Sequence, residues 1–158
     1  YISLGNVRYR QENYEDALAL YKKAASIDNN ETSIDPTHVI AYNNIGNILY
    51  KQNNLDEAIT YYKKAISINP EYVYSYINLA NILANQNKFE EAIGHYEKAL
   101  SIESEIAERY YVSRIHKNLG TVLKKIGKIK EGEQHIQEAL RLDSENTKLQ
   151  KDTSSNKQ

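Results

Sequence analysis

The 158-residue chain has no cysteine, tryptophan or methionine, and only one phenylalanine, two prolines and six glycines. Without thiols it has no disulfides, thiolate metal sites or cysteine nucleophiles. So few Pro and Gly residues leave long stretches free to run as helix. No run approaches the ~18 consecutive apolar residues of a membrane-spanning helix. Charge of one sign is also missing: 20 Lys and Arg oppose 21 Asp and Glu, for a formal net charge of -1. So even a balance lacks the electrostatic excess of a dedicated nucleic-acid or membrane-surface binder, and no nucleic-acid partner is expected. With 41% hydrophobic residues the chain is foldable and not disordered.

What the chain does have is 14 tyrosines, and they recur at fixed spacing. Ala41-Tyr42-Asn43-Asn44-Ile45-Gly46-Asn47-Ile48-Leu49 aligns with Ser75-Tyr76-Ile77-Asn78-Leu79-Ala80-Asn81-Ile82-Leu83, an offset of 34 residues. The offset persists into a second block, where Ala58, Tyr62 and Ala65 align with Ala92, Tyr96 and Ala99. A copy beginning at Tyr1 fits 41 residues before the second, and one containing His116, Leu119, Gly120 and Ala139 fits 40 residues after the third. Four copies are expected, over 1–31, 39–72, 73–106 and 113–146, with 147–158 as a polar tail or partial capping helix.

Within a copy, Tyr42, Ile45, Ile48 and Leu49 fall on one helical face, and Ala58, Ile59, Tyr62, Ala65 and Ile66 form a second stripe. Short polar turns such as Gln52-Asn53-Asn54 separate the stripes. Small residues at Gly46 and Ala58, and at Ala80 and Ala92, let two helix backbones approach. Each copy therefore reads as an antiparallel helix pair that must stack on its neighbours to bury its second face. The predicted helices are 1–11, 14–27, 36–52, 55–68, 71–86, 89–102, 105–126 and 129–142, with Asp35 capping Pro36 and Ser104 placed to cap the seventh. Extra residues lie in 28–34, a polar loop, and in 105–112, an extension that would project Arg109, Tyr110 or Tyr111.

The aromatic-x2-Leu-Gly, Ala-x3-aromatic and Pro pattern resembles the tetratricopeptide repeat, copy two most fully at Tyr42, Ile45, Gly46, Ala58, Tyr62, Ala65 and Pro70. That resemblance implies an all-α fold, a right-handed α-solenoid of antiparallel helix pairs. It implies a non-catalytic protein–protein interaction scaffold that holds a peptide or partner helix in a concave groove lined by first helices. The alternatives are a substrate-targeting arm of a larger enzyme, such as a glycosyltransferase, and a self-associating structural module. The cytoplasm is the expected compartment. Tyr1 lacks a preceding cap, so a fragment of a longer protein is expected.

Catalytic chemistry finds no foothold in the residues. The four histidines include no i, i+4 pair, and no phosphate loop or nucleophile elbow occurs. His95 and His135 are equivalent residues of neighbouring copies, about ten ångströms apart at usual helix packing distances, too far for one metal. His116 takes an aromatic position and is expected at the core edge. The acid pairs Asp56-Glu57 and Glu90-Glu91 sit where helix N-termini favour negative charge. No catalytic residue, metal or cofactor is expected.

Binding residues are expected among the asparagines. Asn44, Asn78 and Asn118 share one first-helix position, and Asn6, Asn47 and Asn81 share another three residues on. Asn costs a helix interior roughly 0.5–0.7 kcal/mol relative to Ala, so its recurrence asks for a reason. An amide both donates and accepts, which suits an extended peptide backbone. The resemblance places these residues as a ladder like that of O-linked N-acetylglucosamine transferase. Tyr50, Tyr74, Arg114 and Lys117 are expected beside them, with Lys51 and Lys124, and basic residues near copy four favour an acidic partner there. The family's carboxylate clamp is matched at Asn6 and Asn44, whereas Ile2, Tyr74 and Asn78 stand where it uses Lys or Arg.

Overall fold

The computed structural model describes residues 1–27, 36–102 and 109–155. Among these there are eight helices and no strand: α1 (Ile2–Arg10), α2 (Tyr14–Ala25), α3 (Pro36–Lys51), α4 (Leu55–Ile68), α5 (Val73–Asn85), α6 (Phe89–Ser101), α7 (Arg109–Lys125) and α8 (Ile129–Ser155). No described helix is long and apolar enough to cross a membrane. The 28–34 loop, the Asp35 and Ser104 caps, and the stretch of the seventh helix expected before Arg109 lie outside the described residues.

Two helices depart from expectation. α5 opens at Val73 because the Asn69 side chain accepts the Glu71 N–H at 2.9 Å, and the Asn69 carbonyl accepts the Tyr72 N–H at 3.1 Å. That turn holds 69–72 out of the helix, so Pro70 closes α4 without starting α5. α8 runs on to Ser155 instead of ending at 142. No Gly or Pro interrupts 133–155, and Arg141 braces the exposed face through Glu138 at 2.6 Å and Glu145 at 2.5 Å.

The turn inside every pair uses the same device. Glu12, Asn53, Asn87 and Gly127, at equivalent positions, have φ of 59°, 60°, 59° and 86°. One left-handed residue reverses the chain, although only one of the four is glycine.

The chain forms two compact units, residues 1–79 and 80–158. In the first, α1 packs on α2, α2 on α3 and α3 on α4. Its core holds Ala17, Tyr21, Ala24, Val39, Ala41, Ile45, Ile48, Ala58, Tyr62 and Ala65. Gly5 and Gly46 do not simply bring backbones together: a Cβ there would stand 2.5 and 2.6 Å from the rings of Tyr21 and Tyr62. The glycines make room for a buried tyrosine. Leu4 on α1 is 49% exposed, while its equivalents Ile45, Leu79 and Leu119 are at most 1% exposed. Among the described residues, the outer face of the first pair carries uncovered apolar surface that the other copies bury.

In the second unit α6 packs on α7 and α7 on α8, around Ala92, Tyr96, Ala99, Ile115, Leu119, Val122, Leu123 and Ala139. Here a glycine does bring backbones together: a Cβ on Gly120 would lie 2.6 Å from the Gly132 carbonyl oxygen. Buried Ser113 turns its hydroxyl to Asp143 at 2.5 Å and the Ala139 carbonyl at 3.2 Å, fastening α7 to α8.

The tyrosines range from buried through half-buried to exposed. Tyr21, Tyr62, Tyr76 and Tyr96 are buried, but Tyr1, Tyr50 and Tyr110 are exposed. The second lysines of Lys22-Lys23 and Lys63-Lys64 are not merely solvated. Lys23 lies over the Tyr1 ring at 4.8 Å and Lys64 over Tyr61 at 4.9 Å, as cation–π contacts.

Candidate functional site

The asparagines form one motif, built three times. In the first copy Asn6 Oδ1 accepts the Tyr21 hydroxyl at 2.7 Å and Asn44 Nδ2 at 3.2 Å. In the second Asn47 Oδ1 accepts the Tyr62 hydroxyl at 2.8 Å and Asn78 Nδ2 at 2.9 Å. In the third Asn81 Oδ1 accepts the Tyr96 hydroxyl at 2.6 Å and Asn118 Nδ2 at 2.9 Å. One amide oxygen thus joins three helices: its own, the second helix of its pair, and the first helix of the next pair.

The sequence yields this arrangement through two spacings. The acceptor Asn and its tyrosine are always 15 residues apart, across the hairpin turn. A buried hydroxyl needs a polar partner, and the asparagine supplies one. Copy four has Thr121 and Ile136 at the equivalent positions, so both members are lost together, and Thr121 donates instead to the Lys117 carbonyl at 2.8 Å.

An amide oxygen has two lone pairs, and each of these three oxygens uses both. What Asn6, Asn47 and Asn81 retain is Nδ2, without a protein partner among the described residues. Asn78 is used differently. Its Nδ2 donates both hydrogens, to Asn47 and to Asn43 Oδ1 at 3.2 Å, leaving its oxygen as an acceptor. Buried Asn43 also accepts the Ser75 hydroxyl at 3.2 Å. Sequence reading missed Asn43 and Ser75. The signal for them was the doubled Asn43-Asn44, an extra amide facing a small hydroxyl in the next copy.

The first unit gathers part of this motif into a cavity of about 200 Å³, lined by Asn6, Tyr9, Arg10, Tyr21, Asn44 and Asn47. Three predicted site residues meet there, and Tyr9 and Arg10 join them unforeseen. Burial pushes the Tyr21 phenol up to about 12, helped by Tyr9 and opposed by hydrogen bonding from Asn44 and by Arg10. Burial likewise lifts Tyr9, against the pull of Lys51, and holds Tyr62 well above the usual phenol range. All three hydroxyls therefore remain neutral donors at physiological pH.

The other predicted residues lie apart from this cavity. Tyr74 stacks on Tyr72, ring centroids 5.3 Å apart, and Tyr50 is exposed at the end of α3. Arg114 lies over the rings of Tyr110 and Tyr111 at 5.8 and 5.6 Å, while Lys117 is exposed. No group of three or more His, Asp or Glu suited to a metal occurs among the described residues. Two of the histidines nevertheless meet, within one hairpin. His116 Nδ1 and His135 Nδ1 are 2.7 Å apart, across the α7–α8 hairpin. The same positions in copy two hold the Tyr42–Tyr61 ring pair, centroids 6.0 Å apart. Burial, then His135, lowers the His116 pKa from its ordinary value.

The solved structures place this architecture. The chain is similar to MamA, with 23% identity and a TM-score of 0.74 over 93% of this chain and 78% of that one. It is similar to BtubC (BKLC) from P. vanneervenii, with 21% identity and a TM-score of 0.81 over 93% and 63%. It is also similar to YrrB, described as a TPR protein with an unusual peptide-binding site, with 27% identity and a TM-score of 0.65 over 81% and 59%. No curated protein matches it by sequence. The tetratricopeptide repeat profile matches residues 1–71 and 72–145. The fold is thus the all-α solenoid of helix pairs that its periodicity implies, and the chain belongs to the tetratricopeptide repeat family.

Proposed function

We propose that this chain is a non-catalytic scaffold that binds an extended peptide along its first helices, gripping the main chain through asparagine amides. The family is one of protein-interaction scaffolds in general. The observation that carries the finer reading is the repeated orientation of Asn6, Asn47 and Asn81. Each has its oxygen consumed internally and its Nδ2 left over, so each copy offers a donor of fixed aim to a passing carbonyl. The amides do not depend on ligand side chains, so the grip is largely indifferent to sequence. YrrB, a relative with a peptide-binding site, supports the class of ligand. An acidic stretch of the ligand opposite Arg114 and exposed Lys117, and action in the cytoplasm, belong to the same proposal.

The test separates binding from architecture. In Asn6→Asp and Asn47→Asp the carboxylate keeps an oxygen for the tyrosine and the neighbouring asparagine but loses the outward N–H. The double variant is expected to fold with its helicity intact and to lose affinity for a randomised, end-capped peptide pool by at least tenfold in fluorescence titration. Unchanged affinity rejects the amide grip.

A further inference from the structure

The cavity between α1, α2 and α3 carries a charge pattern that the peptide reading does not use. Its lining includes Arg10, and Lys51 lies close enough to Tyr9 to draw on its acidity. Among the described residues no carboxylate stands within ion-pair distance of Arg10 or Lys51, and no acidic residue lines the cavity. The other lining groups include donors, Nδ2 of Asn6 and Asn47 and the neutral Tyr9 hydroxyl, beside the acceptor oxygen of Asn44. A pocket with spare amide hydrogens and a guanidinium that has no carboxylate partner among the described residues is complementary to a group that accepts and carries negative charge.

We infer that this cavity is a specificity pocket for the side-chain carboxylate of a Glu or Asp in the bound peptide. Arg10 is its charge partner, the Asn6 and Asn47 amides are its neutral donors, and Lys51 adds long-range attraction. The inference rests on the proposed path of the peptide. Asn47, which lines the cavity, is bonded to Asn78, so a main chain held by the Asn6 and Asn47 amides would pass beside the cavity with one side chain in reach of it. A volume of about 200 Å³ suits a short acidic side chain and is too small for a folded partner. These cations sit at the C-terminal ends of α1 and α3, not at positions 2, 74 or 78, where the family's carboxylate clamp has its basic residues.

The test uses three randomised nonapeptide pools: both ends capped with Glu fixed at the centre, both ends capped with Gln at the centre, and Gln at the centre with a free C-terminal carboxylate. The readouts are titration of the full chain and the side-chain amide NMR signals of Asn6 and Asn47. The expected result is about tenfold tighter binding of the capped Glu pool than of the capped Gln pool, with Arg10→Gln erasing that difference. Arg10 is exposed, so the variant should keep its helical circular dichroism, and Arg10→Lys should restore part of the preference. Equal binding of both capped pools overturns the pocket while the peptide grip stands. Preference for the free-terminus pool alone reassigns the anion to the peptide end and overturns the side-chain assignment. No response to any pool overturns both readings.

Discussion

The Tyr62 hydroxyl donates to Asn47 Oδ1 at 2.8 Å, and that oxygen is also the acceptor for Asn78 Nδ2. A residue read from sequence as a ligand contact is therefore first a joint between helix pairs. Recurrence of Asn in the middle of first helices has a structural cause independent of any ligand.

The joint predicts an order of stabilities. Tyr62→Phe removes one of two donors to Asn47 and should cost about 1 kcal/mol. Asn47→Leu strands the buried Tyr62 hydroxyl and takes an acceptor from Asn78, and should cost about 2–3 kcal/mol. Urea melts of the two variants check this, and the reverse order would show that Asn47 is not the joint.

Alkaline pH should loosen the fold through the same tyrosines. The Tyr21 phenol is raised from 10.0 to about 12 in the folded chain, and Tyr62 is raised too. The unfolded chain then loses phenolic protons first. Stability contributed by these groups is intact below pH 10 and drains away as pH climbs toward 12. Ultraviolet titration should show the buried tyrosines ionising only in step with loss of helical circular dichroism. Smooth ionisation of all 14 without unfolding contradicts it.

Acid acts elsewhere, on His116. Its folded pKa lies below the ordinary 6.5, through burial and the facing His135, with Glu138 opposing and Arg141 adding to the shift. The unfolded state takes up the proton first, so stability is full above pH 6.5 and falls as pH drops through 6.5 toward the lower folded value. His116→Tyr, restoring the residue at equivalent positions 42 and 76, should flatten this part of the melting-temperature profile. A slope as steep as in the parent would assign the sensitivity to another group.

Two glycine substitutions should differ in severity. In Gly120→Ala the new Cβ meets the Gly132 carbonyl oxygen at 2.6 Å, which cannot yield without parting α7 from α8, and the cost should be about 3 kcal/mol. In Gly46→Ala it meets a Tyr62 ring carbon at 2.6 Å. Ala80 already occupies the equivalent position in copy three, with Tyr96 still buried and bonded to Asn81. A small ring shift, offset by the better helix propensity of Ala, should leave Gly46→Ala within about 1 kcal/mol of the parent. Thermal melts distinguish the two.

The helices were legible because burial imposes a period on Tyr42, Ile45, Ile48 and Leu49, and repetition confirms it at Tyr76, Leu79, Ile82 and Leu83. The end of α8 was not, since 143–155 lacks both a stop signal and an apolar stripe to continue. The candidate site was half legible. Equivalent positions exposed the asparagine columns, but their partners lie on other helices, at offsets that a single helical face does not display. The joint loss of Asn and Tyr in copy four, at Thr121 and Ile136, was a readable trace of that pairing. The His116–His135 contact was hidden for a related reason: distance was judged between neighbouring copies, whereas the bond spans one hairpin, 19 residues apart.

An Asn side chain in water spins freely and must be stilled before it can hold anything. Asn6, Asn47 and Asn81 have been stilled by the fold itself, so a visiting chain meets amides whose rotational entropy was surrendered during folding. On the proposed reading recognition is inseparable from masonry: a fault that opened the seam between two helix pairs would also blunt the grip, without touching any atom that meets the ligand.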